Sequence, residues 1–216
     1  MFHVKHFQIQ SGQQEKLRIY AELLQKYNRS LNLLSRRTTA EGFVDHIQEC
    51  LAFTAYPFPE EVSIADWGTG GGLPAIPLAI MFPNVEVYAI DAIQKKILAV
   101  KAFKRELDLP NLHPWHGRAE QFAQAIKYSV SRATSSLSTL WKWHTHAATP
   151  GGALYCLKGG NLSAEQKALH SADPAVQITL MPVSQTSRFL VRVKLSSPLA
   201  DKVQNEPLPP LESPVR

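Results

Sequence analysis

The residues with the clearest chemical meaning lie in a glycine-rich segment, Asp66 to Pro74, which follows a short apolar run and precedes a helical pattern. Three of its glycines, Gly68, Gly70 and Gly72, stand at alternate positions. Glycine lets the backbone approach a ligand closely, and the first turn of the following helix offers free N–H groups at the positive end of its dipole. The segment therefore predicts a binding site for a nucleotide-like ligand.

An acidic residue and the glycine spacing indicate which ligand this is. Asp91 ends the next predicted strand, about 20 residues on, where a carboxylate can accept hydrogen bonds from ribose hydroxyls. A dinucleotide fingerprint has glycine at its sixth position. Counted from Gly68, that position is Leu73. Counted from Gly70, it is Ala75, which the looser form of the motif admits, but this alignment would place Pro74 inside the helix entry. The spacing favours S-adenosylmethionine, which has no pyrophosphate, and leaves NAD as the alternative.

The elements that must position these residues alternate between strands and helices. Helical apolar spacing covers 12–31, 40–55, 74–82, 92–107 and a segment through Leu137 and Leu140, and apolar runs predict strands at 62–65, 85–90, 112–115, 128–131 and 153–157. Such alternation implies an α/β fold with a mostly parallel sheet covered on both faces. Two β-rich runs, 175–183 and 188–194, are separated by a short loop and predict an antiparallel hairpin at the sheet edge.

Composition sets the class of protein. The chain has 216 residues, 44% of them hydrophobic and 19% charged, which suits a globular protein with a sizeable core. We expect a helical extension over 1–60, a ligand-binding domain over 61–200 and a Pro-rich tail over 201–216. No apolar run is long enough to span a membrane, and the N-terminus lacks a secretory pattern, so we expect a cytoplasmic protein. Cys50 and Cys156 lie far apart and in no metal spacing, in keeping with a reducing compartment.

The net charge of +5 favours polyanionic partners, although many soluble proteins are mildly basic. Candidate phosphate contacts are the basic side of the fourth predicted helix (Lys96, Lys101, Lys104, Arg105), which could equally be a solvated face, and three arginines of the extension (Arg29, Arg36, Arg37). Aromatic side chains that could stack on bases, but whose spacing is more typical of a core, are Trp141, Trp143, His144 and His146. The segment His113–His116 has no carboxylate or cysteine beside it, so we expect no metal site.

Several segments between residues 20 and 160 together resemble one known family. Residues 66–79 resemble the motif D-x-G-[ST]-G-x-G-[FL]-P-G-x-P-L-A, which its two prolines make specific. Other matching segments are Tyr20 to Leu33, His46 to Leu51 (H-I-x-D-S-L), Lys95-Lys96, Gly117 to Glu120 (R-x-E), Ser131 to Ala133 (S-R-A) and Leu157 to Gly159 (L-K-G). These segments are similar to the bacterial 16S rRNA guanine-N7 methyltransferases, the small-subunit methyltransferase G family, formerly called glucose-inhibited division protein B.

The resemblance implies a class I methyltransferase fold, Rossmann-like, with a seven-stranded sheet, S-adenosylmethionine as the cofactor, and 16S rRNA or the small ribosomal subunit as the partner of a monomer. It also implies cofactor contacts from Gly68, Leu73, Ala119, Glu120 and Arg132, whereas Gly70, Gly72 and Asp91 follow from the physical argument above. Glu120 could instead be a cap or a solvent-facing residue. We expect Glu120 to lie near the end of the third strand, next to the glycine loop. Arg132 follows the fourth strand, where a cation could hold a phosphate, a carboxylate or the guanine edge.

The chemistry of guanine N7 requires little from the protein. N7 carries a lone pair and no proton, so its methylation needs no general base, and aligning donor and acceptor in a dry site contributes up to about 7–11 kcal/mol. We therefore expect no catalytic acid or base, with Arg132 as the candidate positioning residue.

Three positions depart from the family pattern: Ala75 replaces glycine, Glu49-Cys50 replaces Asp-Ser, and Lys127 replaces an acidic residue. The last change removes a carboxylate from the expected wall of the site. These departures keep open a non-catalytic module that binds S-adenosylmethionine or RNA, and the glycine spacing keeps open a small NAD-dependent oxidoreductase.

Overall fold

The seven strands form one sheet. The computed structural model describes residues 8–35, 37–56, 58–132, 134–183 and 186–196. The strands are β1 (Ser63–Trp67), β2 (Glu86–Asp91), β3 (Leu112–His116), β4 (Ile126–Arg132), β5 (Ala148–Gly159), β6 (Val176–Pro182) and β7 (Arg188–Leu195). They lie in the order β3-β2-β1-β4-β5-β7-β6.

The described residues also form six α-helices. These are α1 (Ser11–Leu31), α2 (Ala40–Cys50), α3 (Ala75–Met81), α4 (Gln94–Glu106), α5 (Leu137–Ala147) and α6 (Ser163–Ala172). Two short 3-10 helices cover Leu51–Ala55 and Ala119–Gln121. None of the described helices is long and apolar enough to cross a membrane.

The direction of the strands creates a binding crevice at one edge of the sheet. Strands β1 to β5 pair in parallel, whereas β7 runs antiparallel to both β5 and β6. The chain passes from β1 outward to β3 and then returns to β4 on the other side of β1, so the order reverses between β1 and β4. Ligands of open α/β sheets bind beside the carboxyl ends of the strands at such a point. The predicted mostly parallel sheet with an antiparallel edge hairpin is confirmed.

Two hydrophobic clusters cover the two faces of the sheet. Ile64 of β1 belongs to the cluster that contains side chains of α1, α2, α3 and α4. Its neighbour Ala65 points to the opposite face and belongs to the cluster that contains side chains of α5 and α6. Strands buried on both faces read as continuous apolar runs, which explains the pattern of β1. The extension therefore packs directly on the sheet, and its treatment as a separate region over 1–60 stays a prediction.

The structure corrects the sequence reading in two elements. Helix α6 was not predicted, because Leu169 is its only buried residue and most of its side chains are exposed. The helix predicted over 40–55 changes at Leu51 from α-helix to 3-10 helix. The Pro-rich tail, 201–216, lies outside the described residues.

Candidate functional site

The glycine-rich segment leaves the carboxyl end of β1 and turns into α3. Gly68, Gly70 and Gly72 have φ angles of 74°, 59° and 98°, a region that side chains rarely adopt. A Cβ added at Gly68 would lie 2.2 Å from Cγ2 of Thr134, and one added at Gly72 would lie 2.4 Å from Cδ1 of Ile76. A Cβ added at Gly70 would make only van der Waals contact, with the carbonyl oxygen of Leu33 at 3.9 Å, so no neighbouring atom crowds the loop at this residue. A ligand can therefore approach the backbone of Gly70.

A buried carboxylate fixes the end of this loop. Asp66, the last residue but one of β1, accepts a hydrogen bond on Oδ2 from the backbone N–H of Ala75, at 3.1 Å. Burial raises the pKa of Asp66 to about 7, and the bond from Ala75 acts in the opposite direction. The bond spans the whole glycine loop, so Asp66 positions the start of α3. Sequence reasoning placed Asp66 in the motif but gave it no role of its own.

Helix α1 supports the loop from outside the sheet. The hydroxyl of Tyr20 donates a hydrogen bond to the carbonyl of Gly71, at 2.9 Å. Leu24, one turn further along α1, packs so closely that a Cβ added at Gly71 would lie 2.7 Å from its Cδ1. Gln13 donates from Nε2 to the carbonyl of Ile80 near the end of α3, at 3.1 Å. No sequence signal linked α1 to these partners, because the hydrogen-bonded residues are 51 or more positions apart.

Asp91 lies beside the glycine loop, as predicted. Its Oδ2 accepts from the N–H of Gly70 at 3.0 Å, and its Oδ1 accepts from the N–H of Ile93 at 2.8 Å. The ammonium of Lys96 lies 3.8 Å from Oδ2. Each carboxylate oxygen accepts about two hydrogen bonds, so each oxygen of Asp91 retains a site for a ribose hydroxyl.

The segment after β3 runs alongside Asp91. The N–H of Gly117 donates to the carbonyl of Asp91, at 3.1 Å, and Ala119 and Glu120 follow in a 3-10 helix. Ala119 is buried, whereas Glu120 is exposed and accepts from the indole N–H of Trp143 at 2.8 Å. Strand β2 lies between β3 and β1, but Trp143, the partner of Glu120, packs against Trp67, the residue before Gly68. The position of Glu120 beside the glycine loop therefore stays a prediction.

Arg132 ends β4 in a cluster of charged side chains. Its Nη1 lies 3.2 Å from Nδ1 of His46 and 3.6 Å from Oε2 of Glu49. Glu49 also accepts from Nε of Arg188, at 2.8 Å. Burial acts to raise the pKa of Glu49, but His46, Arg188 and Arg132 together hold it below its ordinary value. The Nε of Arg132 is buried and has no hydrogen-bond partner among the described residues, so one donor remains for an anionic ligand.

Lys127 does not belong to this wall of the site. It lies near the amino end of β4, five residues and about 16 Å from Arg132 at the usual rise of a strand. Its ammonium donates to the carbonyl of Pro150, at 2.6 Å. The concern that Lys127 alters the site is therefore wrong, because the ligand side is formed by the carboxyl ends of the strands.

The predicted RNA contacts have different surroundings. Lys101, Arg105, Arg29 and Arg37 are exposed, and Arg36 lies outside the described residues. Trp141 and His144 are buried, which confirms their place in the core, whereas His146 is exposed. Trp143 is partly buried against Trp67, with ring centroids 6.4 Å apart. Among the described residues, no group of three or more His, Cys, Asp and Glu side chains could hold a metal ion.

This strand order, with a glycine loop after β1 and an acidic residue at the end of β2, defines the class I methyltransferases that use S-adenosylmethionine. Solved structures share the fold. An S-adenosylmethionine-dependent methyltransferase from Aquifex aeolicus aligns with a TM-score of 0.56 at 15% identity, covering 80% of this chain and 97% of that one. Fibrillarin from Aeropyrum pernix, solved with bound S-adenosylmethionine, aligns with a TM-score of 0.53 at 14% identity, covering 67% of this chain and 71% of that one.

Sequence comparisons identify the family. The model of the rRNA small subunit methyltransferase G family matches residues 13–190. The ribosomal RNA small subunit methyltransferase G of Salinibacter ruber is 43% identical over 175 residues, covering 77% of this chain and 81% of the relative. That of Chlorobium phaeobacteroides is 38% identical over 158 residues, covering 72% and 71%. The chain belongs to the rRNA small subunit methyltransferase G family, as the resemblance predicted.

Proposed function

We propose that this protein transfers the methyl group of S-adenosylmethionine to N7 of a guanine in 16S rRNA, either free or in the small ribosomal subunit. The observation that carries the proposal is the hydrogen bond between Gly70 and Asp91, 3.0 Å long, which joins the glycine loop to the acidic residue of β2 at an uncrowded glycine. Membership of the family supports the choice of substrate.

The donor set fits the cofactor. Asp91 retains an accepting site on each oxygen for the ribose hydroxyls, and Gly70 leaves room for close approach to the backbone. Arg132 has a buried, unused N–H for the anionic end of the amino acid moiety. Further proposed contacts, from the loop and from the segment after β3, are Gly68, Gly72, Leu73, Ala119 and Glu120. The bound cofactor supplies a sulfonium methyl group that a nucleophile can take up.

Three carboxylates near the crevice each contact an amide or a cation, which suits an acceptor that needs no general base. Asp66 is bonded to the Ala75 amide, Asp91 to the amides of Gly70 and Ile93, and Glu49 lies among cations. Guanine N7 already carries the lone pair that attacks the methyl group. The protein therefore acts by alignment and by exclusion of water, for which orientation supplies up to about 7–11 kcal/mol.

We also infer a monomer of the bacterial cytoplasm that acts without a membrane partner. The support for this inference is the proposed substrate, since ribosomal RNA is found in that compartment.

Transfer of labelled methyl from S-adenosylmethionine to 16S rRNA in small-subunit particles tests the proposal, with N7-sensitive cleavage to locate the guanine. We expect label at a guanine with wild-type protein and none with Asp91→Ala, whereas Glu106→Ala, an exposed change at the last residue of α4, should retain activity. If no rRNA becomes labelled, the proposal is contradicted.

Two binding measurements separate the alternatives. Calorimetry that detects cofactor binding without turnover would favour a non-catalytic module. A thermal shift produced by NAD but not by S-adenosylmethionine would favour an oxidoreductase.

A further inference from the structure

A cavity adjoins the glycine loop on the side away from Asp91. It has a volume of about 430 Å³ and opens where β4 and β5 end. Its lining residues are Thr134, Ser135, Ser136, Lys158, Gly159 and Glu165. Thr134 donates from Oγ1 to the carbonyl of Trp67 at 3.0 Å and is the residue that a side chain at Gly68 would strike. The cavity therefore begins where the proposed cofactor loop ends.

One ion pair supplies the charge in this cavity. The ammonium of Lys158 is almost buried, and it donates to Oε2 of Glu165 at 2.8 Å, to Oε1 at 3.2 Å, and to the carbonyl of Ser135. Oε2 of Glu165 also accepts from the N–H of Leu137 at 2.7 Å, which fills that oxygen. Oε1 keeps one accepting site. The ammonium of Lys158 has three donors, and because one N–H can bridge both carboxylate oxygens and a second bonds to Ser135, one donor is left.

We propose that this cavity receives the acceptor guanine and that Lys158 and Glu165 recognise its Watson–Crick edge. The proposal rests on the function proposed above. Guanine presents an acceptor at O6 beside donors at N1 and N2. The free N–H of Lys158 matches O6, and the free accepting site on Oε1 of Glu165 matches the N2 amino group.

Adenine offers the opposite order on the same edge, an amino donor beside a ring acceptor. In this cavity it would place a donor against the ammonium of Lys158 and would offer no amino donor to Oε1 of Glu165. The pair therefore selects guanine over adenine. Because N7 lies on the other ring, away from N1 and N2, recognition of this edge leaves N7 free for the methyl group.

A purely structural role for the pair predicts different behaviour. Glu165 lies on α6 and accepts from Leu137, the first residue of α5, so the pair could serve only to join these helices. In that case removing the carboxylate would lower stability, but it would not change the preference of the enzyme among bases. Discrimination between two bases within one variant therefore separates the two roles, since any loss of folded protein cancels in the ratio.

The experiment uses inosine, which is guanosine without the N2 amino group. Once N7-sensitive cleavage has located the guanine, rRNA is ligated with guanosine or inosine at that position, and kcat/KM is measured for both substrates. We expect the wild-type enzyme to prefer guanosine at least about tenfold, as loss of a hydrogen bond to a charged group implies. With Glu165→Ala the preference should fall to about twofold or less, because the amino group loses its acceptor. Lys167→Ala, an exposed change on the same helix, should keep the wild-type ratio.

The possible results separate the two proposals. Equal rates of the wild-type enzyme on guanosine and inosine would overturn the role of Glu165 even if the variant did not fold. An unchanged ratio in a Glu165→Ala protein that still binds S-adenosylmethionine would also overturn it. Absence of N7 methylation at any guanine refutes the proposed function itself.

Discussion

Removal of the Tyr20 hydroxyl, which α1 contributes, should loosen the glycine loop. Tyr20 is fully buried, and its hydroxyl is a hydrogen-bond donor to the carbonyl of Gly71. The change Tyr20→Phe keeps the ring, including its edge contact with Phe103 at 5.8 Å, and leaves the carbonyl without that donor. An unsatisfied buried polar group costs about 1–3 kcal/mol. At about 2–4 °C per kcal/mol for a chain of this size, a loss of about 2 kcal/mol lowers Tm by about 4–8 °C.

Tyr27→Phe is the matched control for this prediction. Tyr27 lies on the same helix and packs on the same partner, Phe103, at 4.9 Å, and its hydroxyl makes no hydrogen bond to the described residues. Thermal unfolding should therefore show a change below about 0.5 kcal/mol for this variant. Calorimetry should show weaker S-adenosylmethionine binding for Tyr20→Phe alone, because binding must then order a looser loop. Equal stability and equal cofactor affinity of the two variants would refute the view that α1 holds the loop.

Three further results are expected. Gly68→Ala should abolish cofactor binding in calorimetry, since the φ of 74° costs a side chain about 1–2 kcal/mol and its Cβ strikes Thr134. Gly151→Ala is the control and should bind normally, because Gly151 has a φ of 75° but its added Cβ would meet no atom nearer than 3.4 Å. Asp66→Asn should gain stability relative to wild type as pH rises from 4 to 7, by up to roughly 4 kcal/mol. Because the pKa of Asp66 is raised, its carboxyl stabilises the wild-type protein at low pH, and this contribution is lost over that range. A difference in denaturant unfolding that stays constant with pH would contradict this. Glu49→Gln should lower stability at pH 7, and this loss of stability should disappear as pH falls below about 4.5, because the pKa of Glu49 is lowered. An equal loss of stability at pH 3 would contradict this prediction.

The parts of the site that the sequence predicted are those set by local pattern. The glycine loop and Asp91 each follow directly on an apolar strand, so the carboxyl edge of a parallel sheet brings them together. Helix α6 escaped prediction because it buries little apolar surface, and its helix-forming Ala, Glu, Gln and Lys residues carry only a weak signal. The interpretation of Lys127 failed because distance along a strand was not considered: a residue at the amino end of β4 cannot line a crevice at its carboxyl end.

The parts that could not be predicted are contacts between residues far apart in the chain. Tyr20 and Gly71 are 51 residues apart, and Arg188 and Glu49 are 139 residues apart. No periodicity or motif in one sequence specifies such pairs, because they depend on how the helices dock on the finished sheet. The same holds for Lys158 and Glu165: the motif showed the lysine, but the carboxylate beside it lies on the helix that was not predicted.

These long-range contacts make the helical extension part of the binding site. Helix α1 bonds to the glycine loop through Tyr20, and α2 brings His46 and Glu49 to Arg132 at the end of β4. Glu49 lies between two arginines from different strands, so its charge offsets a repulsion that would otherwise separate Arg132 from Arg188 at this edge of the sheet. The longer glutamate in place of the family's aspartate still reaches both arginines. The two helices therefore support the loop and the cation that the proposed cofactor requires, in addition to the bonds that Asp66 and Asp91 of the sheet make to the loop.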